Sequence, residues 1–242
     1  MSGLFSLDSW STVWTHRESF LLGLGNTLQT AVCALALAFI IGAALGLMST
    51  SGNKPLRIVA RIYVEFIQNT PLLLQLCFLY YALAFAGVSL GVIRTGIIAL
   101  GVYTGAYMGE VVRAAIESVP KGQFEAGYAQ GFNTVEVLLY IVLPQAYRNI
   151  VPTLLSQVIT TIKDSSYLAN VATIELMARI RQLLSAAGTY NGLGTVNVSD
   201  VMVLFGAACV IYFVINFTLS CVVRSMQNRR KKALVFAPAK AA

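Results

Sequence analysis

The sequence predicts an all-α integral membrane protein, and three observations predict it. Of 242 residues, 57% are hydrophobic and 11% charged, against ~45–50% and ~25% in soluble domains. Mean hydropathy is +0.72. The apolar residues are gathered into runs near the ~20 residues that a helix needs to cross the hydrocarbon. So few charges cannot coat a soluble surface of this size. That excludes an ordinary cytosolic enzyme, a disordered chain and a disulfide scaffold.

The elements follow in chain order. Residues 1–20 mix Asp8, Trp10, Trp14, His16, Arg17 and Glu18 and read as an outer segment. The apolar stretch behind them is too long for a signal-peptide core, so no cleavable signal is expected. It reads as an uncleaved first span, Leu21–Met48, with Asn26, Thr27, Gln29 and Thr30 near its start. The second span has its core at Leu72–Val88 and its helix is expected to begin near Ile58. Thr70 is expected at a helix N-cap with Pro71 at the first helical position. The third runs from about Thr95 to Ile116, and the fifth is Val201–Val223. The fourth, Gln145–Ala169, is interrupted by Pro152 and by Lys163-Asp164-Ser165-Ser166, so its polar face must avoid lipid. About five spans are therefore expected, with 21–223 the membrane domain and 224–242 a basic tail. Glu175–Ala187 reads as a short amphipathic helix and Thr189–Val198 as a Gly/Asn-rich outer loop. Either is placed to meet an external partner.

The charge balance is 17 Lys+Arg against 10 Asp+Glu. With the N-terminus outside, twelve of the seventeen cations fall on the inner side: Lys54, Arg57, Arg61, Arg113, Lys121, Arg148, Arg224, Arg229, Arg230, Lys231, Lys232 and Lys240. Basic residues collect in cytoplasmic loops, so the chain reads N-out and C-in. Arg229–Lys232 reads as an anchor at anionic headgroups rather than a nucleic-acid site. Cys33, Cys77, Cys209 and Cys221 lie in apolar runs without metal-ligand spacing and are expected as small buried hydrophobes. His16 alone makes no metal site.

The segment between the third and fourth spans carries the functional signal. Pro120 and Gly122 are expected to end the preceding helix. A short helix over Gln123–Gln130 is expected to stop at Gly131, with Glu125 near its start, where the helix dipole favours a carboxylate. Ala126, Gly127, Ala129 and Gly131 keep it thin. Two readings are open: a helix that inserts into a partner's groove, or an ordinary amphipathic connector.

Glu125-Ala126-Gly127, three residues, Gly131, nine residues, Ile141, one residue, Leu143-Pro144 resembles the EAA loop of permease subunits of bacterial ABC importers. That loop reads Glu-Ala-Ala, three residues, Gly, nine residues, Ile, one residue, Leu-Pro, and only Gly127 departs from it. Gln68–Leu76, Glu110–Arg113, Ser118–Gln123 and Lys163–Tyr167 are similar to the polar amino acid branch (the His/Glu/Gln/Arg uptake family). Gln68 stands where Arg is usual. The likeness covers roughly Gly23 to Arg230.

The resemblance implies a type I importer permease in the bacterial inner (cytoplasmic) membrane, with Glu125, Ala126, Gly127, Gly131, Ile141, Leu143 and Pro144 coupling it to a separate cytoplasmic ATPase. The chain has no G-x-x-x-x-G-K-[ST] phosphate loop. No cofactor is therefore expected in it, ATP being used by the partner. A second permease copy or related permease, and an extracytoplasmic amino-acid-binding protein, complete the implied assembly.

Intramembrane ionisable groups are costly and mark function. Asp164, ~18 Å beyond Pro152 along a helix, can meet a substrate ammonium. Ser165, Ser166 or a broken helix end can meet its carboxylate. The alternative is that Lys163 and Asp164 neutralise each other. Glu110 and Arg113 share a helix face and read first as an ion pair. Gln75, Tyr80 and Tyr81 are candidate path-lining residues, packing being the other reading for the tyrosines. The wording of Ala169–Arg179 resembles glutamine or glutamate/aspartate permeases. The rival classes are an ion-coupled secondary carrier using Glu110 or Asp164, for which no internal inverted repeat is visible, and a membrane-embedded enzyme, for which no nucleophile–base or metal set is visible.

Overall fold

A computed structural model describes residues 7–88, 90–171, 175–190 and 198–235. Among them every regular element is helical: α1 Leu7–Thr15, α2 Arg17–Thr50, α3 Lys54–Gln68, α4 Leu72–Phe85, α5 Val92–Glu117, α6 Lys121–Ala129, α7 Thr134–Glu136, α8 Leu143–Asp164, α9 Leu176–Tyr190 and α10 Val198–Val235. A π-helical turn, Val137–Val142, joins α7 to α8, and a 3₁₀ helix, Ser165–Val171, follows α8. Part of the expected loop Thr189–Val198 and the end of the basic tail lie outside the described residues.

Among the described residues, three helices are long and apolar enough to cross a membrane: Arg17–Thr50, Val92–Glu117 and Val201–Asn228. α3 and α4 together pass the same test as a bent pair, which is the form of a broken span or of a re-entrant loop. The expected first, third and fifth spans lie inside the three long helices. The fourth does not pass by composition, because α8 carries Gln145, Asn149, Gln157, Lys163 and Asp164. It is nevertheless unbroken through Pro152. The interruption expected there is absent, because helices in such proteins re-satisfy the carbonyl that a proline frees. Nor does α10 stop at Val223, since its helix carries on into the basic segment.

The cap at the second span also differs. Pro71 itself is the N-cap of α4. The Thr70 hydroxyl instead donates back to the Phe66 carbonyl at 2.5 Å, satisfying one of the orphan carbonyls at the end of α3.

The chain divides into two compact units. One comprises residues 1–34, 71–100 and 161–217. Its core is Phe20, Leu176, Ile180, Leu204, Ala207 and Ala208, with α4 and α9 both packed on the 3₁₀ helix. The other comprises residues 35–70, 101–160 and 218–242. Here α2 and α5 approach through interlocking glycines. A Cβ on Gly42 would lie 2.6 Å from Met108 Cβ, and one on Gly46 would overlap Val112 Cγ1. In return, Gly101, Gly105 and Gly109 receive Leu37, Ile41 and Leu45 at 2.7–2.8 Å from the missing Cβ positions. Small residues every fourth position let helix backbones meet closely where lipid offers no hydrophobic drive to association.

Large apolar side chains point outward along the helices. Phe85 is 91% exposed and Ile40 70%. Such a surface fits hydrocarbon, not water. The same inversion explains the cysteines. Cys33, Cys209 and Cys221 are exposed rather than buried, because an outward apolar face is an ordinary place for a small hydrophobe in a membrane.

Candidate functional site

The segment expected to couple to a partner is built as a helix, a left-handed turn and a second helix. α6 begins at Lys121, capped by Pro120 in an extended conformation (φ −55, ψ 138). The expected start at Gln123 is therefore one half-turn late, and Gly122 lies inside α6 instead of ending α5. Glu125 consequently occupies the middle of the helix, exposed, and gains nothing from the dipole, whose effect fades after the first turn. Among the described residues no ion pair engages it.

Gly131 closes α6 with φ +87. Its N–H bonds the Tyr128 carbonyl at 3.0 Å, and the Phe132 N–H bonds the Gly127 carbonyl at 3.2 Å. These are the two bonds of a Schellman turn, which requires a left-handed residue and so favours glycine. The next helix starts at once. The Asn133 side chain accepts from the Val135 and Glu136 N–H groups, each at 3.0 Å, while the Glu136 carboxylate accepts from the Asn133 N–H at 2.8 Å. This capping box was legible as Asn-x-x-Glu in the sequence.

Gly127 is the one buried residue of α6. A Cβ there would stand 2.7 Å from Ile141 Cδ1 and 2.8 Å from Val137 Cγ2. The position at which this chain departs from the EAA pattern is thus a packing contact with another residue of the pattern. Ile141 sits in the π turn, in which the Leu143 N–H bonds the Leu138 carbonyl. Pro144 offers no N–H, and the Gln145 side chain covers the Ile141 carbonyl at 2.9 Å. The same amide donates to the Gln123 side chain at 3.1 Å and so ties α8 to α6. Gln145 was missed in the sequence because nothing there places it opposite Gln123.

The segment is rooted in one apolar cluster. Ala115, Ile116 and Val119 at the end of α5 pack with Val137, Val142, Ala146 and Ile150, and Phe124, Leu138 and Leu143 close over them. Outward, Tyr128, Phe132, Val135, Leu139 and Tyr140 remain exposed, Tyr140 by 69%. Phe132 and Tyr140 touch with ring centroids 6.4 Å apart. A segment rooted in an apolar cluster thus presents exposed apolar and aromatic side chains, with Glu125 exposed on the same helix as Tyr128. Patches of this kind mark interaction sites.

The intramembrane candidates separate. Gln75 on α4 and Ser165 at the start of the 3₁₀ helix lie on elements packed together. Asp164 ends α8 and is half-buried, Lys163 is exposed, and no direct salt bridge joins the two. The helix end expected to greet a substrate carboxylate proves to be a C-terminus, whose carbonyls repel anions. The Ser165 hydroxyl is buried and donates to the Ile162 carbonyl at 2.7 Å. In the other unit, Glu110 pairs with Arg113 as expected, and Arg113 also bonds Glu117 at 2.5 Å.

Glu175, expected only as the start of an amphipathic helix, is the centre of a buried polar cluster. It is 1% exposed, and its carboxylate accepts from the Met177 and Ala178 N–H groups at 2.9 and 2.8 Å, capping α9. Thr27 and Tyr212 hydroxyls donate to the same carboxylate at 3.5 and 3.3 Å. An acidic residue directly before an amphipathic helix was the available signal.

Helices with outward apolar faces and buried polar groups between them together describe a membrane component. The chain belongs to the family described as the binding-protein-dependent transport system inner membrane component, whose model matches residues 38–232. It is 35% identical over 223 residues to the probable glutamine ABC transporter permease protein GlnM of Bacillus subtilis (strain 168), covering 92% of this chain and 98% of the relative. It is 34% identical over 217 residues to the L-cystine transport system permease protein TcyB of the same organism, covering 88% of each. Among solved structures, an amino acid ABC transporter with histidines matches at a TM-score of 0.78 and 29% identity, over 91% of this chain and 98% of that one.

Proposed function

We propose that this chain is the membrane subunit of an ATP-driven importer for a polar amino acid of the glutamine type, in the bacterial inner membrane. It crosses about five times, N-out and C-in, with residues 21–223 as the permease domain and 117–144 as the coupling loop. Glutamine and cystine permeases among the relatives support the substrate class. ATP is hydrolysed by a separate cytoplasmic subunit, a second permease completes the path, and an external binding protein delivers the substrate. Glu125, Ala126 and Gly127 meet the ATPase and Gly131 sets the bend. Ile141, Leu143 and Pro144 carry the movement into α8. Asp164, Lys163, Ser165, Glu110 and Gln75 are the substrate contacts of this reading.

The observation that carries it is the rooting of α6. Phe124 and Gly127 are packed against the α5 end and the π turn, so a push on the exposed face of α6 cannot be absorbed locally and must move α5 and α8. The experiment is reconstitution with the ATPase and binding protein, measuring ATP hydrolysis and L-glutamine uptake together. Gly131→Asp and Glu125→Lys should insert normally yet hydrolyse ATP without uptake. Coupled transport in both variants, or accumulation by the chain alone on an ion gradient, would refute the assignment.

A further inference from the structure

We propose that the cavity between α3 and α5 binds a zwitterionic α-amino acid of neutral side chain, carboxylate toward α3 and ammonium toward α5. This rests on the importer reading and deepens it by naming the chemistry recognised near the inner end of the path. The open cavity measures about 520 Å³, within the ~300–1,000 Å³ usual for small-molecule sites.

The two walls carry opposite charge. α3 contributes Arg57, Arg61 and Glu65, and α5 contributes Glu110, Arg113 and Glu117. Every ion pair here stays within its own helix: Arg61 with Glu65 at 2.7 Å, and Arg113 with both Glu110 and Glu117. Among the described residues none crosses from α3 to α5. On α3 two guanidinium groups stand against one carboxylate, a surplus of one positive charge. On α5 two carboxylates share one guanidinium, a surplus of one negative charge. Arg57 bonds the neutral Ser51 carbonyl at 3.0 Å, so its charge is not cancelled there.

A simple anion would gain on α3 and be repelled by α5, and a simple cation would meet the reverse. A molecule carrying both charges gains on both walls. The pair on α3 offers little resistance, because exposed ion pairs are weak and the Arg61 and Glu65 side chains are 80% and 59% exposed; on α5 the ammonium meets Glu117, the more exposed of the two carboxylates that share Arg113. A neighbouring cavity of about 500 Å³ shares Glu110 and Gln68 with the first and is otherwise lined by uncharged groups, Tyr107, Thr153 and Gln157 among them. Glu110 is already paired with Arg113, so an amide side chain suits that second chamber and a charged one does not. The site therefore selects net-neutral amino acids.

The test is equilibrium binding of radiolabelled L-glutamine to the full chain assembled with its ATPase in lipid nanodiscs, without binding protein. Competitors are 4-carbamoylbutyrate, which lacks the ammonium, and 4-aminobutanamide, which lacks the carboxylate. In the unaltered chain each should compete about tenfold worse than L-glutamine or more, the loss expected for one charge-assisted contact. Glu117→Gln should erase the penalty for 4-carbamoylbutyrate only, and Arg57→Gln that for 4-aminobutanamide only. Arg57→Lys, which keeps the charge, should restore it. Absence of saturable L-glutamine binding, or unchanged discrimination in both variants, would overturn the site. ATP-driven uptake measured in parallel separates the two ideas. Intact uptake with unchanged discrimination removes this cavity and leaves the importer standing, whereas no ATP-driven uptake by the unaltered assembly removes both.

Discussion

The Thr27 hydroxyl lies 3.5 Å from Glu175 Oε2 and accepts the Leu176 N–H at 3.2 Å, joining residues 148 apart in sequence. One buried carboxylate therefore caps the start of α9, anchors α2 through Thr27 and anchors α10 through Tyr212. Replacing Glu175 with Ala leaves several buried donors without an acceptor, which costs ~1–3 kcal/mol. The thermal unfolding midpoint of the detergent-purified chain should fall by several degrees. Tyr212→Phe removes one bond and should cost about 1 kcal/mol. A Glu175→Ala chain that unfolds with the unaltered one would show that the clamp is idle.

The glycine seam between α2 and α5 predicts a sharp positional contrast. Gly42→Leu and Gly105→Leu must push Met108 or Ile41 aside, an overpacking cost of ~1–3 kcal/mol each. Gly206→Leu and Gly25→Leu add a Cβ that meets nothing within 4 Å and should be tolerated. Yield and thermostability by fluorescence-detected size exclusion would show the difference. Equal tolerance at all four positions would contradict the close approach.

At Gly131 the backbone, not the space, is limiting: a Cβ added there would meet nothing within 4 Å, but φ is +87. A β-branched residue there should be worst and Asn mildest, since Asn visits the left-handed region and Val does not, with a cost of ~1–2 kcal/mol for an ordinary residue. In the reconstituted assembly, uptake per ATP should therefore fall in the order Gly, Asn, Ala, Val. A Val variant that couples as well as Asn would rule out the turn as the reason for glycine.

Gly127→Ala, although it restores the usual EAA wording, should destabilise this chain by about 1 kcal/mol, as overpacking does. Its new methyl meets Ile141 Cδ1 and Val137 Cγ2. Ile141→Val deletes the first of these atoms, so the double variant should recover part of the loss in a double-mutant cycle. Strictly additive effects would mean that the two sites do not touch as described.

Apolar runs and the spacing from Glu125 to Pro144 sufficed to reach the class, the helices of the first, third and fifth spans and the bend at Gly131. These depend on composition and on neighbours a few residues apart, which is what a linear pattern records. The Ala38-Gly42-Gly46 and Gly101-Gly105-Gly109 periods were also on view, but not that they face one another. The start of α6 differs from the sequence reading because Pro120 serves as its cap, and α8 runs on through Pro152 because membrane helices re-satisfy the carbonyl that a proline frees. Only the tertiary structure decided that the Glu175 carboxylate is buried beneath Thr27 and Tyr212, that Gln145 reaches Gln123, and that α3 and α5 oppose a surplus cation to a surplus anion. Each of these is a meeting of side chains distant along the chain. Its energy exists only once the helices are packed, so no local pattern announces it.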